Sequence, residues 1–216
     1  MTTINEILAR AGASDADRDE WLAERRLGLT ATEAKHLYMG GSIDELALLK
    51  VLPAPDNFKP NKYLSWGKER EPMIARDVAM EYPFLAHESR VFKSAVNDRY
   101  LASPDMIGPD GDRIALAEIK TSKHDLTPGS LHFDSTGYYY QMQWQMFVLD
   151  ADYCVFAWER HHDDWLTCPD GVQRPQTIDP VRCVVIDRDE ECINGMIVVA
   201  EKFFKVMDEI QKDLLS

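Results

Sequence analysis

The sequence predicts an α/β or α+β fold, a sheet flanked by helices. Three observations predict it: capping signatures that open helical segments in the first third, a change at Leu85 to short β-like runs separated by turn residues, and a return to helix at Gly137–Leu149 and at the end of the chain. Residues 1–50 read as helical. Ser14 with Asp17 can cap a turn leading into Asp19–Arg26, and Thr30, followed three residues later by Glu33, opens a second segment as a capping box. Pro53-Ala-Pro-Asp-Asn-Phe-Lys-Pro60 places three prolines in eight residues and reads as a loop. Helix resumes near Ser65 and runs to about Glu81, ending before Tyr82-Pro83. His87–Phe92, Tyr100–Ala102 and Ile114–Thr121, divided by Asn-Asp and by Pro109-Asp-Gly-Asp, predict three adjacent antiparallel strands. A helix over Gly137–Leu149 is followed by strand Tyr153–Glu159, a polar loop through Pro175, strand Val181–Ile186 and a closing helix from about Asp189 to Leu215. No repeat divides the chain, and 216 residues fit a single domain spanning 1–216.

Composition narrows the function classes. A hydrophobic content of 45% supports a packed core, and no apolar run approaches the roughly 20 residues that span a bilayer, so no membrane partner and a cytoplasmic location are expected. Cys154, Cys168, Cys183 and Cys192 lack the short paired spacing of a zinc site and read as free thiols. The formal charge of −13 opposes wholesale nucleic-acid binding, which uses a basic face to replace phosphate counterions. A lined channel needs only local positive charge, so an acidic rim around a basic interior reconciles the two.

The chemistry gathers around Asp105. It follows Ser103-Pro104, and thirteen residues later Glu118-Ile119-Lys120 lies in the apolar run Ile114-Ala-Leu-Ala-Glu-Ile-Lys. Alternation along a strand sends Glu118 and Lys120 to one face and Ile119 to the other. A hairpin of this length can bring Asp105 to Glu118, giving two hard oxygen ligands suited to Mg²⁺. Metal, activated water and a nearby cation are what phosphodiester hydrolysis requires, and Lys120 suits the last role. Acid-x-base triplets also occur on the wet edges of sheets; the apolar setting of Glu118 and the preceding Ser-Pro-Asp favour the site.

These residues resemble the PD-(D/E)xK nucleases, and within them the phage recombination exonucleases of the lambda exonuclease or YqaJ type. Arg26-Leu-Gly-Leu-Thr-Ala-Thr-Glu is similar to that family's Arg-Leu-Gly…Thr-Ala-Ser-Glu segment, and Leu64-Ser-Trp-Gly-Lys-Glu-Arg-Glu71 to its Trp-Gly-Lys…Glu helix. Ser103-Pro-Asp105 with Glu118-Ile-Lys120 resembles the catalytic hairpin, Tyr140-Gln-Met-Gln-Trp-Gln145 the Gln-x-Gln helix, and Val184-Val-Ile-Asp-Arg-Asp-Glu190 the late strand leading to the last helix. Five motifs stand in the family's order. The chain is one residue shorter than the family between Arg26 and Thr32, and Thr replaces its usual Ser.

The resemblance implies a restriction-endonuclease-like core, a mixed central sheet flanked by helices. It implies a 5′-to-3′ exonuclease on linear double-stranded DNA that leaves 3′ single-stranded overhangs for recombination by strand annealing. Asp105, Glu118, the Ile119 carbonyl and Glu71 would bind Mg²⁺, or Mn²⁺ in its place. Lys120 would serve the attacking water and Gln141 would orient substrate or water. Arg26, Thr32 and Ser103 would hold a 5′-terminal phosphate, and Leu64 would wedge between terminal bases. The resemblance also implies a homotrimer, a single-strand annealing protein as partner, and a phage origin, with the host cytoplasm as location.

Other features read more plainly. Lys68-Glu69-Arg70-Glu71 is also what a solvated ion-pair face looks like. Gln141 and Gln145 share a helix face, which leaves Gln143 structural. Tyr138, Tyr139, Tyr140 and Trp144 have the density of a core cluster, and His161-His162-Asp163-Asp164 falls in the expected loop, exposed. A Cas4-like or other nuclease of this fold with an iron–sulfur cluster is disfavoured, because no cysteine precedes Cys154. An inactive acidic interaction protein or DNA mimic is favoured by charge and opposed by the intact Asp105, Glu118 and Lys120 set.

Overall fold

The computed structural model describes residues 2–52 and 61–214; the loop expected at Pro53–Pro60 lies outside them. The first third holds α1 (Ile4–Leu8), β1 (Ala11–Ser14), α2 (Arg18–Arg26), α3 (Ala31–Tyr38), α4 (Ile43–Val51) and α5 (Lys62–Glu81). The middle holds β2 (Ala86–His87), β3 (Arg90–Lys93), β4 (Leu101–Ala102), β5 (Met106–Asp110), β6 (Arg113–Ser122), α6 (Leu131–Thr136) and α7 (Tyr138–Leu149). β7 (Tyr153–Thr167), β8 (Gln173–Thr177), β9 (Arg182–Asp187) and α8 (Glu190–Leu214) complete the chain.

Local chemistry accounts for the helix starts. Asp17 caps α2 by accepting from the Glu20 amide, and the helix carries acids in its first turn and Arg25 and Arg26 in its last, matching its dipole. Thr30 and Glu33 form the reciprocal capping box of α3. Asn61 caps α5 through the Leu64 amide. Gly137 ends α6 and starts α7 at φ 68°, a left-handed backbone that glycine adopts without strain. Along α8, Cys192, Met196, Ala200, Phe203 and Met207 recur at three- and four-residue steps and are buried, so one stripe faces the core.

The strands form two sheets, one ordered β1-β3-β4 and the other β2-β5-β6-β7-β8, with β9 on the first half of β7. The larger is mixed: β6 and β7 are parallel, from Ala115 against Tyr153 to Ser122 against Arg160, and the other pairs are antiparallel. Parallel neighbours need a crossover, which α6 and α7 supply. This corrects the expectation of three adjacent antiparallel strands. The His87–Phe92 run splits into β2 and β3, β4 joins the smaller sheet, and β5 intervenes as the antiparallel partner of β6. Two further corrections concern strands lacking a clear period. The helical first third contains β1, paired to β3, and the loop through Pro175 is a ribbon in which β7 runs on to Thr167 and pairs with β8.

Side chains on the two faces of β6 and β7 enter different clusters. Leu116, Phe156 and Trp158 pack with Met142, Trp144 and Met146 of α7 and with α3 and α8. Ala115, Ala117, Ile119, Val155 and Ala157 pack against Ile74, Ala75 and Val78 of α5. The catalytic-type strand is therefore covered on both sides, as the near-continuous apolar sequence of β6 requires.

Candidate active site

Asp105 lies in the link from β4 to β5 and is held by its own backbone: its amide donates to the Ala117 carbonyl (3.2 Å) and its carbonyl accepts from the Glu88 amide (2.9 Å). Its carboxylate accepts from the Ile119 amide at 2.5 Å. The hairpin thus brings Asp105 beside the Glu118–Lys120 segment, and the alternation of β6 turns Glu118 and Lys120 toward α7 and Ile119 toward α5. Glu118 is 2% exposed and fully engaged: Lys120 and Gln141 donate to Oε1 and Gln145 donates to Oε2 at 2.7 Å.

Burial, and next the Glu118 carboxylate, hold the Asp105 carboxyl well above the usual range, with Glu71 adding in the same direction and Lys120 opposing. Burial works against the Lys120 charge, but Glu118 and Asp105 overcome it and raise the lysine above its ordinary value. Lys120 is therefore a firm cation in this arrangement. The two carboxylates, Asp105 and Glu118, form an oxygen donor set that fits a magnesium ion, which is usually held by one or two carboxylates with waters and substrate phosphates. Among the described residues no group of three or more His, Cys, Asp or Glu is arranged to hold a metal.

Glu71 stands on α5, across β6 from α7. Its charge acts on Asp105, while its Oε1 is 3.1 Å from His87 Nε2. Its neighbours form the ion-pair face that the charge pattern offered as an alternative: Lys68 with Asp15 at 3.7 Å, Glu69 with Arg174 at 2.5 Å, and Arg70 with the buried Glu159.

The phosphate-pocket residues expected from the resemblance divide. Ser103 Oγ accepts from Arg25 Nη1 at 3.3 Å, whereas Arg26 Nε donates to the Lys50 carbonyl at 3.0 Å. The guanidinium facing Ser103 is thus that of Arg25 rather than Arg26. Counted from Arg25, the segment to Thr32 gains the one residue by which it is shorter when counted from Arg26. Consecutive helical residues point about 100° apart, and α2 buries none of its residues, so no apolar stripe in the sequence indicates which arginine turns inward. Burial loosens the Arg25 proton, and the Glu33 and Glu118 carboxylates resist this. Gly28 lets the following chain lie close: a Cβ there would stand 2.2 Å from the Arg99 carbonyl, against which the Leu29 amide bonds at 2.8 Å. Thr32 is exposed on the first turn of α3, and Leu64 is 51% exposed on the first turn of α5.

Gln145 shares the helix face of Gln141, and both donate to Glu118, a role for Gln145 that the shared face alone does not signal. Gln143 instead spans the β9–α8 junction, donating to the Asp187 carbonyl and accepting from the Asp189 amide, both at 2.8 Å. The tract His161–Asp164 is strand rather than loop, a further correction. His161 is buried against Tyr63 and Trp165, and His162, Asp163 and Asp164 are exposed. The four cysteines are free thiols.

A mixed sheet that presents an acidic hairpin and a lysine to a glutamine-bearing helix defines a nuclease of the restriction-endonuclease-like class. The chain belongs to the YqaJ-like viral recombinase domain family, whose model matches residues 20–152. Solved structures agree on the fold. An alkaline exonuclease (LHK-Exo) from Laribacter hongkongensis is 22% identical, with 91% of this chain and 95% of that one covered and a TM-score of 0.63. A phage-related exonuclease from Haemophilus somnus 129PT is 18% identical over 87% and 96%, with a TM-score of 0.66. SOX in complex with DNA is 9% identical over 96% and 73%, with a TM-score of 0.61. None of the curated proteins matches the chain in sequence.

Proposed function

We propose that this protein is a magnesium-dependent exonuclease that degrades linear double-stranded DNA from 5′-phosphorylated ends and leaves 3′ overhangs for recombination by strand annealing. The observation that carries the reading is the convergence of Asp105, Glu118 and Lys120 under Gln141 and Gln145, with Arg25 and Ser103 alongside. The family and the exonuclease neighbours, one of them solved with dAMP, support it.

Asp105 and Glu118, with the Ile119 carbonyl and Glu71, would hold Mg²⁺ or Mn²⁺. When bound, the ion supplies a polarised phosphate and a water of lowered pKa. Lys120 contributes a fixed positive charge beside that phosphate, and Gln141 and Gln145 keep Glu118 in one orientation. Arg25 and Ser103, with Thr32 at the neighbouring helix start, receive the 5′-terminal phosphate, and exposed Leu64 is placed to part the end base pair. A homotrimer and a single-strand annealing partner complete the reading, in the cytoplasm of a phage host. Among the described residues no helix is long and apolar enough to cross a membrane.

Strand-labelled linear duplex, incubated with Mg²⁺ or EDTA, tests this directly. Metal-dependent loss of the 5′-phosphorylated strand is expected; folded protein that leaves both strands intact would transfer the case to an acidic interaction protein. The end preference has its own check. A charge-assisted hydrogen bond is worth about 1.5–3 kcal/mol, so Arg25→Ala should lower the preference for 5′-phosphate over 5′-hydroxyl ends by roughly 10- to 100-fold. Loss of that preference in Arg26→Ala, with Arg25→Ala unaffected, would return the role to Arg26.

A further inference from the structure

Lys35 is the basic residue near the site that the exonuclease reading leaves without a task. It is half-buried on α3, with its ammonium 5.5 Å from the centre of the Tyr138 ring, and the Lys120 ammonium stands 5.6 Å from the same ring. Two lysines therefore approach one aromatic side chain at the start of α7. The charges acting on Lys35 are those of Lys120 and Glu118. Glu118 is already taken by Lys120 and two glutamines, and among the described residues Lys35 makes no ion pair. Lys50, on the neighbouring α4, has Glu33 at 2.8 Å.

The position of Lys35 is set by packing. A Cβ on Gly137 would come within 3.1 Å of Lys35 Cγ and 2.1 Å of Met39 Sδ, so the start of α7 rests directly on the lysine stem. The contact fixes the base of the stem and directs the side chain along the start of α7. Its ammonium stands partly out of water, beside a second cation and without a carboxylate of its own. Such an arrangement is unfavourable unless an anion joins it.

We propose that Lys35 binds the scissile phosphodiester, holding a non-bridging oxygen at the Tyr138 ring that Lys120 also approaches. The inference rests on the exonuclease reading and adds a substrate-binding residue to it. Charge balance supports it: Asp105, Glu118 and Glu71 carry three negative charges, the divalent cation and Lys120 three positive ones, and the single negative charge of the phosphodiester is left for Lys35 to meet.

Lys35→Met keeps an unbranched stem against Gly137 and removes the charge, while Lys35→Arg keeps a charge. Binding of fluorescent 5′-phosphorylated duplex is measured in EDTA across a salt titration, together with kcat and KM in Mg²⁺. For Lys35→Met the slope of log affinity against log salt should flatten by about 0.9, the share of one phosphate contact, and kcat/KM should fall roughly 10- to 100-fold. Lys35→Arg should recover the slope and most of the activity. A Lys35→Met protein with wild-type slope and kinetics overturns the proposal. So does a loss shared equally by Lys35→Arg with a lowered melting temperature, which assigns Lys35 to packing. Wild-type protein that neither binds nor degrades duplex ends defeats the exonuclease reading, and this inference falls with it.

Discussion

Replacing Lys120 by alanine is expected to lower kcat on linear duplex DNA by about 100- to 1000-fold, the usual cost of deleting one charge-stabilising donor from a desolvated site. Lys120 is the cation in direct contact with Glu118, and it is held above its ordinary pKa by two carboxylates, so it is charged throughout the working range. Removing it also leaves Glu118 and Asp105 facing each other with less compensation. The loss should fall on kcat more than on KM, because a group acting on developing charge contributes most in the transition state. Steady-state kinetics with circular dichroism as a folding control reads this. A folded Lys120→Ala protein within threefold of wild-type kcat would remove Lys120 from the chemistry.

Trp144→Ala carries the largest expected effect on stability, about 3–5 kcal/mol. The indole has no exposed surface, meets Tyr100 edge-on at 5.2 Å and Phe147 at 5.5 Å, and donates from Nε1 to the Leu101 carbonyl at 3.1 Å. Truncation leaves both a cavity and an unpaired buried acceptor. For a chain of this size the melting temperature should drop by roughly 10 °C. Trp144→Phe fills most of the cavity and should cost clearly less. Equal losses in the two variants would show that the hydrogen bond outweighs the packing. Leu101 belongs to the strand that leads to Ser103 and Asp105, so the damage should reach activity before global unfolding.

The parts of the fold visible in the sequence were those with a repeating signal. The alternation of β6 placed Glu118 and Lys120 on one face, the capping pairs Asp17 and Thr30–Glu33 opened α2 and α3, and the stripe of α8 announced the closing helix. β5 was missed because Met106-Ile-Gly-Pro-Asp contains a glycine and a proline, which a period-based reading takes for a turn. β8, Gln-Arg-Pro-Gln-Thr, carries no apolar alternation; its pairing comes from the long continuation of β7, a tertiary cause. β1, Ala-Gly-Ala-Ser, is too small in side chain to signal anything. Within the site, Asp105, Glu118 and Lys120 were legible because strand geometry fixes their phase. The choice between Arg25 and Arg26 was not, since it depends on how an exposed helix is rotated against β1, where the Glu24 carboxylate bonds the Ala13 amide at 2.7 Å.

The parallel pairing of β6 with β7 has a bearing on how the protein is made. Ala115 meets Tyr153 only after the intervening helices have been synthesised, and such distant pairings close slowly. Until β7 leaves the ribosome, one long side of an apolar strand bearing two of the acidic centre's residues has no neighbour, and an open edge of that kind recruits other chains. Nascent chains stalled just before Tyr153 should therefore be digested rapidly by protease within β6, and chains stalled well beyond Asp187 should resist. The candidate centre is in this sense assembled only after β7 has been made, which leaves the Asp105–Glu118–Lys120 arrangement without its full sheet until then.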